Sequence, residues 1–170
     1  MNWLERTELL LGAEKLEKLK KSHVLVVGLG GVGAYAAEQL CRAGIGKMTI
    51  VDGDVVEESN RNRQLPALIS TLKKPKAEIL AERFLDINPD IELTVINDFI
   101  EHEKIVELLK SQPFDYVVDA IDTLTPKVFL IYEAIQLGLK VVSSMGAGGK
   151  MDPSAIEITD ISKSYNCKLG

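Results

Sequence analysis

Short runs rich in β-branched residues alternate with longer amphipathic stretches along most of the chain, the pattern of an α/β sheet covered on both faces. His23-Val-Leu-Val-Val27 is an unbroken apolar run, as expected of a strand buried on both sides. A helix over about 31–43 and a strand in Lys47–Asp52 complete a right-handed strand–helix–strand unit. Pro75 suits the first turn of a helix running through Ala77–Asn88, and Asn88-Pro89 ends it. Later strands are expected in IELTVI (91–96), FDYVVDA (114–120) and KVVSSM (140–145), with helices at about 102–110 and 124–137. IEITDI (156–161) reads as one more strand, parallel or antiparallel. Ahead of the first strand, residues 2–11 and 13–21 place Leu4, Leu9, Leu10, Leu16 and Leu19 at roughly helical spacing. The expected fold is a doubly wound, mostly parallel Rossmann-like α/β sheet over 23–170, preceded by a helical arm over 1–22.

The turn after the first strand carries Gly28-Leu-Gly30-Gly31-Val-Gly33. Glycines there permit a tight turn, bring backbone N–H groups close to phosphate oxygens and let the helix pack on the sheet, its N-terminus facing the anion. Asp52 closes the second strand about twenty residues on, where a carboxylate can accept from ribose hydroxyls. This much suits an NAD-dependent dehydrogenase as well as an ATP-dependent enzyme. The stretch from Asp52 through Asp54, Asn60 and Arg63 to Gln64 is dense in polar groups just past a strand end, where ligands of open α/β sheets bind. Lys76 follows at the next helix, and Asp122 lies just past FDYVVDA. Arg63 and Lys76 form a pair of cations beside a metal-capable carboxylate, the set required when a triphosphate is cleaved and charge develops on pyrophosphate. Hydride transfer leaves its diphosphate intact and needs no such set.

Composition narrows the partners. The 170 residues hold 20 Lys+Arg against 25 Asp+Glu, a formal charge of −5, and 46% are hydrophobic. Ordinary hydrophobic content argues against disorder, and the acidic balance argues against a domain that only binds nucleic acid. No apolar run is long enough to cross a bilayer, and no basic segment leads into an apolar one at the start, so a cytoplasmic protein without a membrane partner is expected. Cys41 and Cys167 stand far apart and outside any CxxC, so neither a disulfide framework nor a zinc site is written here. His23 opens a strand and His102 a helix, without metal-ligand company; both read as structural.

GLGGVG, VDGDVVEESNRNRQ, Lys76 in KPKAE, and DAID together resemble the adenylating superfamily of MoeB, ThiF and the ubiquitin-activating enzymes. That resemblance implies ATP and Mg²⁺, with a carboxylate activated as an acyl-adenylate and pyrophosphate released. It implies that Gly28, Gly30, Gly31, Gly33, Asp52, Asp54, Asn60, Arg63, Gln64 and Lys76 bind the nucleotide and that Asp122 organises the metal. It further implies a homodimer in which Arg6 reaches the partner's triphosphate. Asn60–Gln64, Asp119–Asp122 with Lys127, Met145–Pro153 and Ile156–Lys163 are similar to the tRNA threonylcarbamoyladenosine dehydratase branch. In that branch the threonine carboxylate of a modified tRNA adenosine is adenylated, and a nitrogen of the same side chain displaces AMP. An activator of a ubiquitin-like sulfur carrier and a nucleotide-binding scaffold without catalysis stand as alternatives.

The chain departs from these relatives in places. Lys73 stands where they usually carry Gly, a strained choice if that residue needs a positive φ. Relatives continue well beyond SYNCKLG, so the resemblance implies the nucleotide-binding core of a longer enzyme. Cys167 aligns with a position where some relatives have Cys or Asp before Pro, with Lys168 replacing the Pro; a sulfur-transfer partner acting there is one reading and a bland cysteine the other. A tRNA substrate would have to be gripped by local lysine patches such as Lys15, Lys18, Lys20 and Lys21 or Lys73, Lys74 and Lys76, by the combined surface of a dimer, or by the C-terminal segment that relatives carry, because the bulk charge repels it.

Overall fold

Five of the β-branched runs pair into one parallel sheet of order β3-β2-β1-β4-β5, built from His23–Val27 (β1), Lys47–Val51 (β2), Glu92–Ile96 (β3), Tyr116–Asp119 (β4) and Lys140–Ser143 (β5). The computed structural model describes residues 2–165 and 167. All five residues of β1 are buried, as its apolar run requires of a central strand covered on both sides. The register places Val51, Val27, Asp119 and Ser143 in one row across the C-terminal ends of four strands.

Helices cover both faces. Gly33–Ala43 (α3) and Lys76–Ile87 (α4) pack over one core that includes Val24, Val26, Ile50, Leu80 and Phe84. His102–Ser111 (α5) and Leu124–Gln136 (α6) pack over the other, around Leu25, Val27, Ile105, Val117 and Leu130. Cys41 lies wholly inside the first core, its Sγ 3.4 Å from the Phe84 carbonyl, and burial pushes its thiol up to about 11. His23 is buried against the Phe114 ring with Nε2 3.0 Å from Thr49 Oγ1, and burial lowers its pKa.

The arm consists of two short helices, Glu5–Leu11 (α1) and Ala13–Lys21 (α2). Leu4 packs on Gly44 at the C-terminal end of α3, and Gly46 donates to the Leu19 carbonyl at 3.2 Å. These contacts hold the arm at the N-terminal end of the strands. Leu9 and Leu10, in contrast to Leu4 and Leu16, remain exposed.

The strand expected over 156–161 does not form, and all the strands among the described residues are parallel. Asp152 and Asp160 instead accept from Ser154 and Ser162 N–H groups and hold 3₁₀ turns at Pro153–Ala155 and Ile161–Lys163. Short Asp side chains that satisfy their own backbone compete with a sheet ladder. Ile156 and Ile158, which suggested the alternation, face solvent.

Candidate functional site

The strand order reverses between β1 and β4, and ligands of such sheets bind in the crevice at the carboxyl ends of the strands there. The glycine loop lines this crevice. Gly28 takes φ +87, and a Cβ on it would lie 2.7 Å from the Ala120 carbonyl oxygen; one on Gly33 would lie 1.8 Å from that of Gly28. These two glycines hold the turn and the close approach of α3 to the sheet. Gly30 and Gly31 serve differently, since a Cβ there would make only ordinary contacts, with Gln64 Nε2 at 3.7 Å and with Arg63 Cγ and carbonyl oxygen at 3.6 Å. The N–H groups of Gly30, Gly31 and Val32 have no partner among the described residues and precede the N-terminus of α3. Successive free N–H groups at a helix N-terminus form an anion cradle.

Asp52 closes the loop from the other side. Its Oδ2 accepts from Leu29 N–H at 2.6 Å and its Oδ1 from Asp54 N–H at 2.8 Å. Burial raises its pKa, against the lowering effect of those two N–H groups. Each oxygen retains a lone pair for a hydroxyl donor.

The cations are held by their own chain. Lys76, with a side chain only 5% exposed, donates to Asp54 Oδ2 at 2.9 Å. The segments carrying them are laced together by an antiparallel bridge between Val55 and Pro75, with Lys73 N–H on the Val56 carbonyl at 2.8 Å. Arg63 lies along Gly31 and gives one guanidinium nitrogen to the Ser59 carbonyl and Asn62 Oδ1, leaving the others for a ligand. Gln64 Oε1 is buried without a partner, next to Gly30. Asn60 is turned inward: its Oδ1 accepts from Glu57 N–H at 2.9 Å, so only its amide NH₂ is left for a phosphate.

Lys73 has φ +64, the left-handed conformation in which glycine is at ease, and its ammonium pairs with Glu57 at 2.5 Å. The strain is on the order of 1–2 kcal/mol, partly offset by an exposed pair worth about 0–1 kcal/mol. Lys73→Gly relieves that strain but loses the pair and about 0.5–1 kcal/mol to the freedom of glycine in the unfolded chain, so the urea midpoint is expected to stay nearly unchanged, whereas the β-branched Lys73→Val lowers unfolding stability by about 1–2 kcal/mol.

Asp122 is exposed and makes no hydrogen bond or ion pair among the described residues. It does not cap α6, whose N-cap is Thr123 without a side-chain bond. Ala120 and Ile121, which precede it, lie directly against Gly28. A free carboxylate therefore flanks the anion cradle. Arg6 is elsewhere: it sits on α1, at the end of the sheet opposite the crevice, and takes no part in this chain's own site.

One cluster carries no role in the sequence reading. Lys127 and Asp119 are completely buried and paired with each other, and Ser143 Oγ donates to Asp119 Oδ2 at 2.5 Å. The sequence held a signal for it: Lys127 shares the inward stripe of α6 with Leu130 and Ala134, and a lysine on a buried stripe requires a counter-ion.

The pattern of the ThiF family matches residues 4–170. The chain belongs to the ThiF family. This ThiF-family chain is 43% identical over 165 residues to the tRNA threonylcarbamoyladenosine dehydratase of Bacillus subtilis, covering 97% of this chain and 65% of that protein. It is 41% identical over 170 residues to the Escherichia coli protein of the same name, covering 98% of this chain and 63% of the relative. The crystal structure of the E. coli dehydratase TcdA in complex with ATP superposes with a TM-score of 0.93 at 41% identity, over 96% of this chain and 67% of that one. The chain thus spans about two-thirds of the length of the curated relatives it matches. Among the described residues no three His, Cys, Asp or Glu gather to hold a metal, and no helix is long and apolar enough to cross a membrane. Cys167 Sγ accepts from Gly146 N–H at 3.3 Å, and Lys168 lies outside the described residues.

Proposed function

We propose that this chain adenylates a carboxylate with ATP, and that the carboxylate is the threonine group of threonylcarbamoyladenosine in tRNA. The observation that carries the nucleotide reading is the row of free N–H groups at Gly30–Val32 with Arg63 over Gly31 and the unpartnered Asp122 beside it. The orphaned Gln64 Oε1 fits the same reading, because a nucleotide brings N–H and O–H donors to a buried acceptor. The dehydratases that are 41–43% identical to this chain support the tRNA substrate. Residues 23–170 would supply the nucleotide-binding unit and residues 1–22 the arm.

In this mechanism Asp52 accepts from ribose hydroxyls, and the cradle receives phosphate oxygens. Arg63 and Lys76 neutralise the charge that develops on pyrophosphate as the substrate carboxylate oxygen bonds to the α-phosphorus and the bond to the β-phosphate bridge breaks. Lys76 reaches the phosphates by exchanging its Asp54 partner, which is half exposed and resolvates easily. A nitrogen of the substrate side chain then attacks the acyl carbon, AMP leaves, and a ring closes with net loss of water. No protein nucleophile is needed; the chain supplies position and charge. Asp122 is suited to Mg²⁺, which commonly takes one or two protein carboxylates with the rest of its shell from phosphates and water. When bound, the ion supplies charge neutralisation at the phosphates.

Arg6 is fastened at the far end of its own chain, so a role at a triphosphate requires a second copy, and we include a homodimer with shared sites in the reading. The deciding experiment is mass analysis of nucleosides from modified tRNA incubated with protein, ATP and Mg²⁺. Loss of one water from the threonylcarbamoyl nucleoside is expected. An unchanged mass, with ATP bound, sinks the substrate assignment.

A further inference from the structure

The buried charge pair under the crevice is costly unless it serves a purpose. Both partners have no exposed surface, and replacing such a pair by apolar groups of similar volume is often neutral or stabilising. Its hydrogen bonds are nevertheless complete. Lys127 Nζ donates to Asp119 Oδ2, to the Ser144 carbonyl at 2.9 Å and to Ser143 Oγ at 3.3 Å. Asp119 Oδ1 accepts from Ile121 N–H at 3.0 Å, and the Asp119 carbonyl accepts from Ser144 N–H at 2.8 Å. The cluster therefore clamps two loops at once: Ala120–Asp122 after β4, which carries the free carboxylate, and Ser144–Gly146 after β5.

We infer that Asp119, Lys127 and Ser143 form a positioning unit that sets Asp122 and the rim after β5 relative to the glycine cradle. The inference rests on the adenylation reading for its consequence, though the clamp is defined by geometry alone. Rigid packing from α6 beneath the loop is needed because Asp122 itself has no partner to hold it. A carboxylate displaced by about 1 Å loses its place in the phosphate geometry, while the nucleotide contacts at Asp52 and Gln64, on the β2 side, stay intact.

The test is the apolar double variant Asp119→Leu/Lys127→Met, with Ser143→Ala as a second variant that removes only a partly exposed hydroxyl. Two readouts are taken from each folded variant. Calorimetry of AMP without metal and of ATP with Mg²⁺ is expected to show unchanged AMP affinity, and a loss of about tenfold or more for ATP–Mg²⁺ in the double variant. Ser143→Ala is expected to lose about threefold in the same direction. Amide hydrogen exchange is expected to rise at Ile121, Ser144 and Gly146, the amides of the two loops that are hydrogen-bonded, and nowhere else. A purely structural role predicts equal effects on both nucleotides or none. Parent-like exchange in the two loops of either variant overturns the inference, as does parent-like ATP–Mg²⁺ affinity. If the parent protein binds neither nucleotide, the adenylation reading fails separately and the exchange data still decide whether the clamp positions the loops.

Discussion

Asp122→Ala is expected to lower substrate-dependent release of AMP and pyrophosphate by about 10²–10³-fold, the usual cost of removing one preorganised electrostatic group from an active site. The fold should not register the change. The carboxylate is exposed, bonds to nothing among the described residues and caps no helix, so unfolding stability should stay within about 0.5 kcal/mol of the parent. The same variant should keep its AMP affinity, because Asp52 and the glycine loop are untouched, and should lose the gain in ATP affinity that Mg²⁺ confers. Parallel measurement of melting temperature, AMP binding and pyrophosphate release checks all three. Full activity in a folded Asp122→Ala protein would remove this residue from the site.

Gly33→Ala should act in the opposite way, through the fold. The added methyl would lie 1.8 Å from the Gly28 carbonyl oxygen and 3.0 Å from the Ala120 side chain. Withdrawal of the Gly28 peptide is opposed by the Ala120 backbone beside it, whose carbonyl oxygen lies only 2.7 Å from where a Cβ on Gly28 would sit. Overpacking typically costs about 1–3 kcal/mol, and a clash this deep against backbone belongs at the upper end of that range or above it, a large share of the total stability of a domain this size. Chemical denaturation should show an early midpoint or no cooperative transition. Gly31→Ala is the control, since its methyl would come no nearer than 3.6 Å to the Arg63 side chain and carbonyl oxygen, ordinary van der Waals contact. That variant should fold normally.

The difference between these glycines bears on what could be read in advance. A GxGxxG pattern between a strand and a helix announces a phosphate loop, but it does not separate the glycine required for helix packing from those that leave room for a ligand. That distinction depends on what lies opposite each Cα: the Gly28 carbonyl in one case, Arg63 and Gln64 in the other. Likewise, Lys76 was recognisable as a cation at a helix start, yet its ion pair with Asp54 arises from the bridge between Val55 and Pro75, about twenty residues apart in the chain. Asn60 looked like a phosphate ligand, and the turn it caps with Glu57 became visible only in three dimensions.

The order of strands and helices along the chain, the buried centre of the sheet and the position of the glycine loop follow from the sequence alone. They rest on local signals: periodicity, apolar runs and glycine spacing, each confined to a few neighbouring residues. The tertiary structure decided the rest. It dissolved the strand expected over 156–161, because local Asp–Ser turns there outcompete sheet pairing. It exposed the strain at Lys73, set Arg6 away from its own crevice and joined Asp119, Lys127 and Ser143 beneath Asp122. Charged and polar partners are chosen through space by desolvation and hydrogen-bond geometry, and those terms act between residues that the sequence keeps far apart.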